Sequence, residues 1–201
     1  MDSLLILKIN PHAMGTESLE ENSILRDDAS NFLDWYRYLS QEYQGELYEL
    51  FMAFADIFPG FKNLKLEKTG TSSKSLQFVG ENKVMFDFNE LSEGQKVLLV
   101  LYSLLYLRGS EPTTILLDEP DNFVAIREIQ PLLFKLTELV EDGKLQVLLI
   151  SHSSEVMNFL GASGYHVYRT FDSPTRIARL SQENLNSQLP VSELMARGWT
   201  E

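Results

Sequence analysis

The sequence predicts an α/β fold: a sheet with flanking helices, plus a helical and antiparallel hairpin portion on its N-terminal side. Three observations predict it. The runs "TTILLD" at 113–118 and "LQVLLI" at 145–150 are almost unbroken in apolar character, as strands of a parallel sheet buried on both faces are. A helical segment follows each of them, so strand and helix alternate through the second half of the chain. The first half instead carries "NLKLEKTG", "KSLQFVG" and "KVMFDFN", short alternating pieces separated by Gly and Asn, the pattern of an antiparallel meander or hairpin.

Each element has its own local reason. "SLLILKINP" alternates as a strand does and stops at Pro11, and a polar loop runs to about residue 25. From Asp28 the pattern is helical, with Phe32, Trp35, Tyr36 and Leu39 at three- and four-residue steps. A second amphipathic run carries Leu47, Leu50, Phe51, Phe54 and Ile57, and Pro59-Gly60 ends it. After the meander, "LSEGQ" introduces a long apolar helix from Lys96 to Leu107, closed by Gly109-Ser110. The strand "TTILLD", a loop, and a helix over Ile126 to Glu141 ended by Gly143 follow. "LQVLLI" stops at Ser151-His152, a short helix spans Glu155 to Leu160, and "YHVYRT" and "TRIARL" are further strands. The chain reads as one domain over 1–201: a strand and helical region to about 60, hairpin strands over 61–90, a core over 91–180, and a C-terminal tail over 181–201.

Composition narrows the function. A chain of 201 residues has room for a sizeable core. Its net charge of -12 and pI of about 4.7 argue against a general nucleic-acid surface. No stripe of Lys and Arg marks a groove, and Lys62, Lys65, Lys68 and Lys74 read as a solvated face. With no Cys there are no disulfides and no thiolate metal sites. The longest apolar run, Val97 to Leu107, falls short of the roughly 20 residues a membrane span needs. No signal peptide is visible, and a soluble, cytoplasmic protein is expected.

Chemistry gathers at three places. In parallel α/β sheets ligands sit outside the carboxyl ends of the strands. There "TILLD" ends in Asp118-Glu119, and "LQVLLI" runs into Ser151-His152. Two adjacent carboxylates call for a cation, and a divalent metal beside a phosphate would be one, with Asp118 on Mg²⁺ and Glu119 on an attacking water. The plain alternatives are a pair of solvated loop acids and a hydrogen-bonding His152. The third place is "NELSEGQKV", where Gly94 lies just before the long helix between Ser92 and Gln95. It reads either as an anion site at a helix N-terminus or as an ordinary capping box.

Taken in order, "LSEGQ", "TILLDEP" about 20 residues on, and "VLLISH" about 30 further resemble the signature motif, the Walker B strand and the switch His of ABC-type ATPases. The likeness is strongest over roughly residues 85 to 170. "SILRDDASNFLDWYR", "DEPDNFVAIREIQP" and the terminal "ARGW" look like the AAA/ABC-type ATPases of the overcoming-lysogenization-defect and recombination-repair kind, many linked to phage defence. The resemblance implies ATP and Mg²⁺ as cofactors, with Asp118 as the metal residue, Glu119 as the general base and His152 contacting the γ-phosphate. Ser92, Glu93, Gly94 and Gln95 stand at signature positions that meet ATP held by the other protomer of a head-to-tail dimer. Asp121 to Val124, with Asp121 and Asn122 foremost, match the loop at that dimer interface. Glu93 departs from the Gly usual in transporters, so its carboxylate must point away from the phosphate. A nuclease effector or DNA is a further partner of such proteins.

The phosphate-cradling GxxxxGK[ST] is missing from the sequence. "EKTGTSSKSLQ" is a decoy: Ser73 stands where Gly is required, and the stretch lies between strands rather than opening a helix. The expectation is therefore a partial P-loop NTPase sheet, the C-terminal half of an ATPase completed by a P-loop-bearing N-terminal half or subunit. A missing strand would lie between "LQVLLI" and "YHVYRT". The alternative is a non-hydrolysing interaction or dimerisation module that docks a partner effector.

Overall fold

The computed structural model describes residues 3–107, 113–169, 171–180 and 189–197. Two compact units divide it, 1–150 and 151–201. Gly109-Ser110, proposed to close the long helix, most of the tail over 181–201, and Trp199 of "ARGW" lie outside the described residues.

In the first unit, β1 (Ser3–Leu7), β5 (Thr113–Asp118) and β6 (Leu145–Ile150) form a parallel sheet in the order β1-β5-β6. The register sets Leu5, Ile115 and Val147 side by side, then Ile6, Leu116 and Leu148, then Leu7, Leu117 and Leu149. Side chains alternate between faces along each strand. One face carries the buried Leu7, Ile115, Leu117 and Leu145, and α4 (Ile126–Glu141) packs against β6. The other face departs from expectation: among the described residues of this unit, Leu4, Ile6, Leu148 and Ile150 on it are exposed.

α1 (Phe32–Glu42) and α2 (Leu47–Ile57) begin and end close to where their apolar periodicity does. Gly60, at φ +86°, makes the turn into β2 (Phe61–Lys68), a conformation that glycine takes without strain. β2, β3 (Lys74–Gly80) and β4 (Met85–Asp87) form the antiparallel meander, so the decoy "GTSSK" is a hairpin turn. Phe54, Phe58, Phe61, Phe78 and Tyr102 meet beneath it, the Phe61 and Phe78 rings 4.5 Å apart.

α3 (Glu93–Tyr106) is the centre of the unit. Val97 through Leu105 are buried on every side, which a helix tolerates only when other elements surround it. It starts at Glu93, three residues before the expected start at Lys96, because Ser92 caps it there; Gly94 is thus inside its first turn.

The second unit holds α5 (Ser154–Leu160), the antiparallel pair β7 (Tyr165–Tyr168) and β8 (Arg176–Arg179), and α6 (Val191–Ala196). α5 packs on α6, and the bare Cα of Gly161 admits the Val191 side chain. β7 therefore belongs to a two-stranded antiparallel sheet with β8, not to the parallel sheet that its place in the alternating sequence pattern suggests.

Candidate functional site at the carboxyl edge of the parallel sheet

β5 delivers Asp118 and Glu119 to the carboxyl edge of the sheet. Asp118 is the last ladder residue, opposite Ile150. Glu119 leaves the strand with φ +52°, while its N–H still donates to the Ile150 carbonyl at 2.8 Å. Phe123, four residues on, has φ +69°. Non-glycine residues in the left-handed region are strained by about 1–3 kcal/mol each, and persist where surrounding structure holds them. Here the holding is visible. The Asn122 N–H donates to the Glu119 carbonyl at 3.1 Å, its Nδ2 donates to Glu119 Oε2 at 2.8 Å, and the Val124 N–H donates to the Asp121 carbonyl. The loop thus fixes the Glu119 carboxylate from its own backbone outward. Asp121 Oδ1 is buried without a hydrogen-bond partner among the described residues.

The cation beside the acid pair is one that sequence reasoning missed. Lys8, the residue after β1, donates from Nζ to Asp118 Oδ2 at 2.7 Å. That hydrogen bond, then the charge of Asp118, holds the ammonium pKa above the ordinary lysine value. Parallel pairing of β1 with β5 brings the two strand ends together, and alternation puts Lys8 on the same side as Leu4 and Ile6.

The start of α3 is the second part. Ser92 Oγ accepts from the Gln95 N–H at 3.2 Å, and Gln95 Oε1 accepts from the Ser92 N–H at 2.9 Å. The capping box is formed, so both side chains are engaged with the helix end. Gly94 is buried against the acid-pair loop, and a Cβ there would collide with the Phe123 carbonyl oxygen. Only glycine lets the loop and the helix start approach so closely. Glu93 points to His12, with Oε1 3.2 Å from Nε2, and the His12 ring meets Phe123 edge-on at 5.9 Å. An open cleft of about 750 Å³ lies here, lined by His12, Thr16, Ser92, Glu93, Lys96 and Phe123 among others.

One unit therefore brings together Asp118, Glu119, Asn122 and the Ser92–Gln95 turn, joined by the contact of Gly94 with Phe123. His152 is exposed in the loop before α5 and belongs to the second unit. The donor set fits Mg²⁺, which takes one or two carboxylates and completes its shell with water and phosphate oxygens. Asp118, with its side chain 29% exposed at the sheet edge, has that chemistry. No cluster of three or more His, Cys, Asp or Glu suited to an all-protein metal cage occurs among the described residues.

The fold resembles that of solved ATPase heads. A structure described as "Structural biochemistry of ATP-driven dimerization and DNA stimulated activation of SMC ATPases" superposes with a TM-score of 0.57 at 14% identity, covering 82% of this chain and 97% of that one. The SmcHead bound to the C-winged helix domain of ScpA gives 0.56 at 17% identity, over 76% of this chain and 47% of that one. The Smc head domain from Pyrococcus yayanosii, with its coiled coil and joint, gives 0.54 at 17% identity, over 85% and 31%. No curated protein matches in sequence. Residues 5–158 match the family described as "AAA domain, putative AbiEii toxin, Type IV TA system", and the chain belongs to that family.

Proposed function

We propose that this chain is the C-terminal half of an ATP-hydrolysing ABC-type ATPase of the overcoming-lysogenization-defect and recombination-repair kind. A segment bearing the P-loop completes it, and the completed protein works as a head-to-tail dimer. The observation that carries the reading is the end of the parallel sheet. An ordered acid pair stands there beside a sheet face left bare by Leu4, Ile6, Leu148 and Ile150. Parallel sheets are covered on both faces, and a strand and helix carrying GxxxxGK[ST] would supply both the cover and the phosphate cradle.

When bound, Mg²⁺ and ATP supply the phosphoryl group and neutralise its charge. Asp118 would hold the metal. Glu119, fixed by Asn122 Nδ2, would accept the proton of the attacking water. The first-turn N–H groups of α3 would face the phosphate of ATP held by the second protomer, with Ser92 and Gln95 shaping the turn. Glu93 would leave that phosphate unopposed because its carboxylate is turned to His12. His152 would contact the γ-phosphate, and Asp121 and Asn122 would line the dimer contact. The family's toxin–antitoxin description and the resemblance together support a role in phage defence or DNA repair, with a nuclease effector or DNA as partner.

The test is ATP turnover by this chain alone and after addition of the P-loop-bearing segment. Turnover is expected only in the combination, and Glu119→Gln is expected to lower kcat by about 10²–10⁴-fold. Unchanged turnover in that variant would remove Glu119 from the role of base.

A further inference from the structure

The acid pair already has a cation, and it comes from this chain. Lys8 Nζ lies 2.7 Å from Asp118 Oδ2, the carboxylate to which the reading above assigns Mg²⁺. We propose that Lys8 is a functional residue of this edge: a built-in counter-ion that competes with a divalent metal for Asp118, and releases it when a phosphate-like anion draws the ammonium away. The inference rests on that reading of Asp118 as the metal residue.

Three observations support it. First, the pair is placed by the sheet itself. Leu7 and Leu117 are register partners, so the next residues, Lys8 and Asp118, emerge side by side at the carboxyl edge. Backbone bonds hold both: the Lys8 N–H donates to the Asp27 carbonyl at 2.8 Å, and Asp118 pairs with Ile150. Second, the pair can be exchanged. The Lys8 side chain is 70% exposed and that of Asp118 29%, so water screens the attraction and the long lysine stem can move. Third, only one of the three N–H donors of the Lys8 ammonium has a hydrogen-bond partner among the described residues. Two donors are therefore left to meet an anion at the same edge.

The consequence is a coupling between anion and metal. While Lys8 neutralises Asp118, a metal must displace a positive charge to bind. An anion at the same edge attracts Lys8 and leaves Asp118 with unbalanced charge, which favours the metal. Lys8 would thus make metal loading depend on the presence of phosphate.

The test is Mn²⁺ binding to the full chain, followed by electron paramagnetic resonance, for wild type, Lys8→Met, Asp118→Asn and the double variant. Titrations run in chloride and in sulfate, a phosphate mimic, at matched ionic strength. Lys8→Met is expected to tighten Mn²⁺ binding about two- to fivefold in chloride, as expected for loss of one exposed competing ion pair. Sulfate is expected to tighten Mn²⁺ binding to wild type and to leave Lys8→Met unmoved. The double variant is expected to bind as weakly as Asp118→Asn. Unchanged or weaker binding by Lys8→Met, or an equal sulfate effect in both proteins, overturns the role of Lys8 while Asp118 keeps its own. Undiminished Mn²⁺ binding by Asp118→Asn overturns instead the assignment of Asp118 to the metal, and the inference falls with it.

Discussion

The two faces of the parallel sheet are made by the same three strands and meet opposite fates. Ile115 and Leu117 are 0% and 1% exposed, while Leu4 and Leu148, from neighbouring strands on the other face, are 64% and 58% exposed. Both faces carry Leu and Ile, and the exposed one adds Thr114 and Gln146, whose side chains hydrogen-bond to each other at 3.1 Å. Burial of the apolar residues depends on whether another element lies above them. The buried face ties the sheet into the folded unit, and the bare face ends in the one edge where Lys8, Asp118 and Glu119 gather.

That contrast is open to direct attack, beginning with its largest effect. Ile115→Ala empties a filled site and should destabilise the chain by about 2–5 kcal/mol. Leu148→Ala on the bare face should change stability by less than about 0.5 kcal/mol. Both are read from the midpoint of a denaturant titration, and a comparable loss for Leu148 would show that its face is covered in solution. Gly94→Ala sharpens the comparison at the edge, since its Cβ must push away the Phe123 carbonyl. A loss of about 1–3 kcal/mol is expected, with faster amide exchange over residues 119–124. Ser92→Ala removes the cap of α3 and should cost about 1 kcal/mol, whereas Ser92→Asp should keep most of it.

The smallest effect is one of pH. Asp28 Oδ1 accepts from the Ser30 N–H at 2.8 Å, and that bond chiefly lowers its pKa below the ordinary aspartate value. The charged form is therefore favoured by folding. Its contribution is present above about pH 4, the unfolded value, and fades as pH falls through the lower folded one. Asp28→Asn should flatten the acid limb of the stability profile slightly, measured by thermal melts between pH 2 and 5. An unaltered limb would mean that the bond contributes nothing to stability.

Much of this was legible in the residues. The apolar spacing of Phe32, Trp35, Tyr36 and Leu39 specified α1, and Gly143 marked the end of α4, because both signals act over one or two helical turns. "NLKLEKTG" and "KSLQFVG" specified a hairpin for the same reason. The acid pair was found because an apolar strand ending in two carboxylates is a local contradiction. Lys8 and His12 were missed because their partners, Asp118 and Glu93, lie far along the chain. The one available signal was a lysine closing an apolar strand, which acquires meaning only once that strand is known to pair with β5. β7 was misplaced because a short strand carries no record of its neighbour: among the described residues β7 pairs with β8.

By itself, the sequence determined the elements, their caps and the polar tips of the strands, since these depend on neighbours within a few residues. Tertiary structure alone decided which sheet face stayed bare, which lysine met Asp118, and why position 94 admits only glycine. Those outcomes depend on which surfaces come within contact distance, and short-range periodicity does not encode distances across a folded chain.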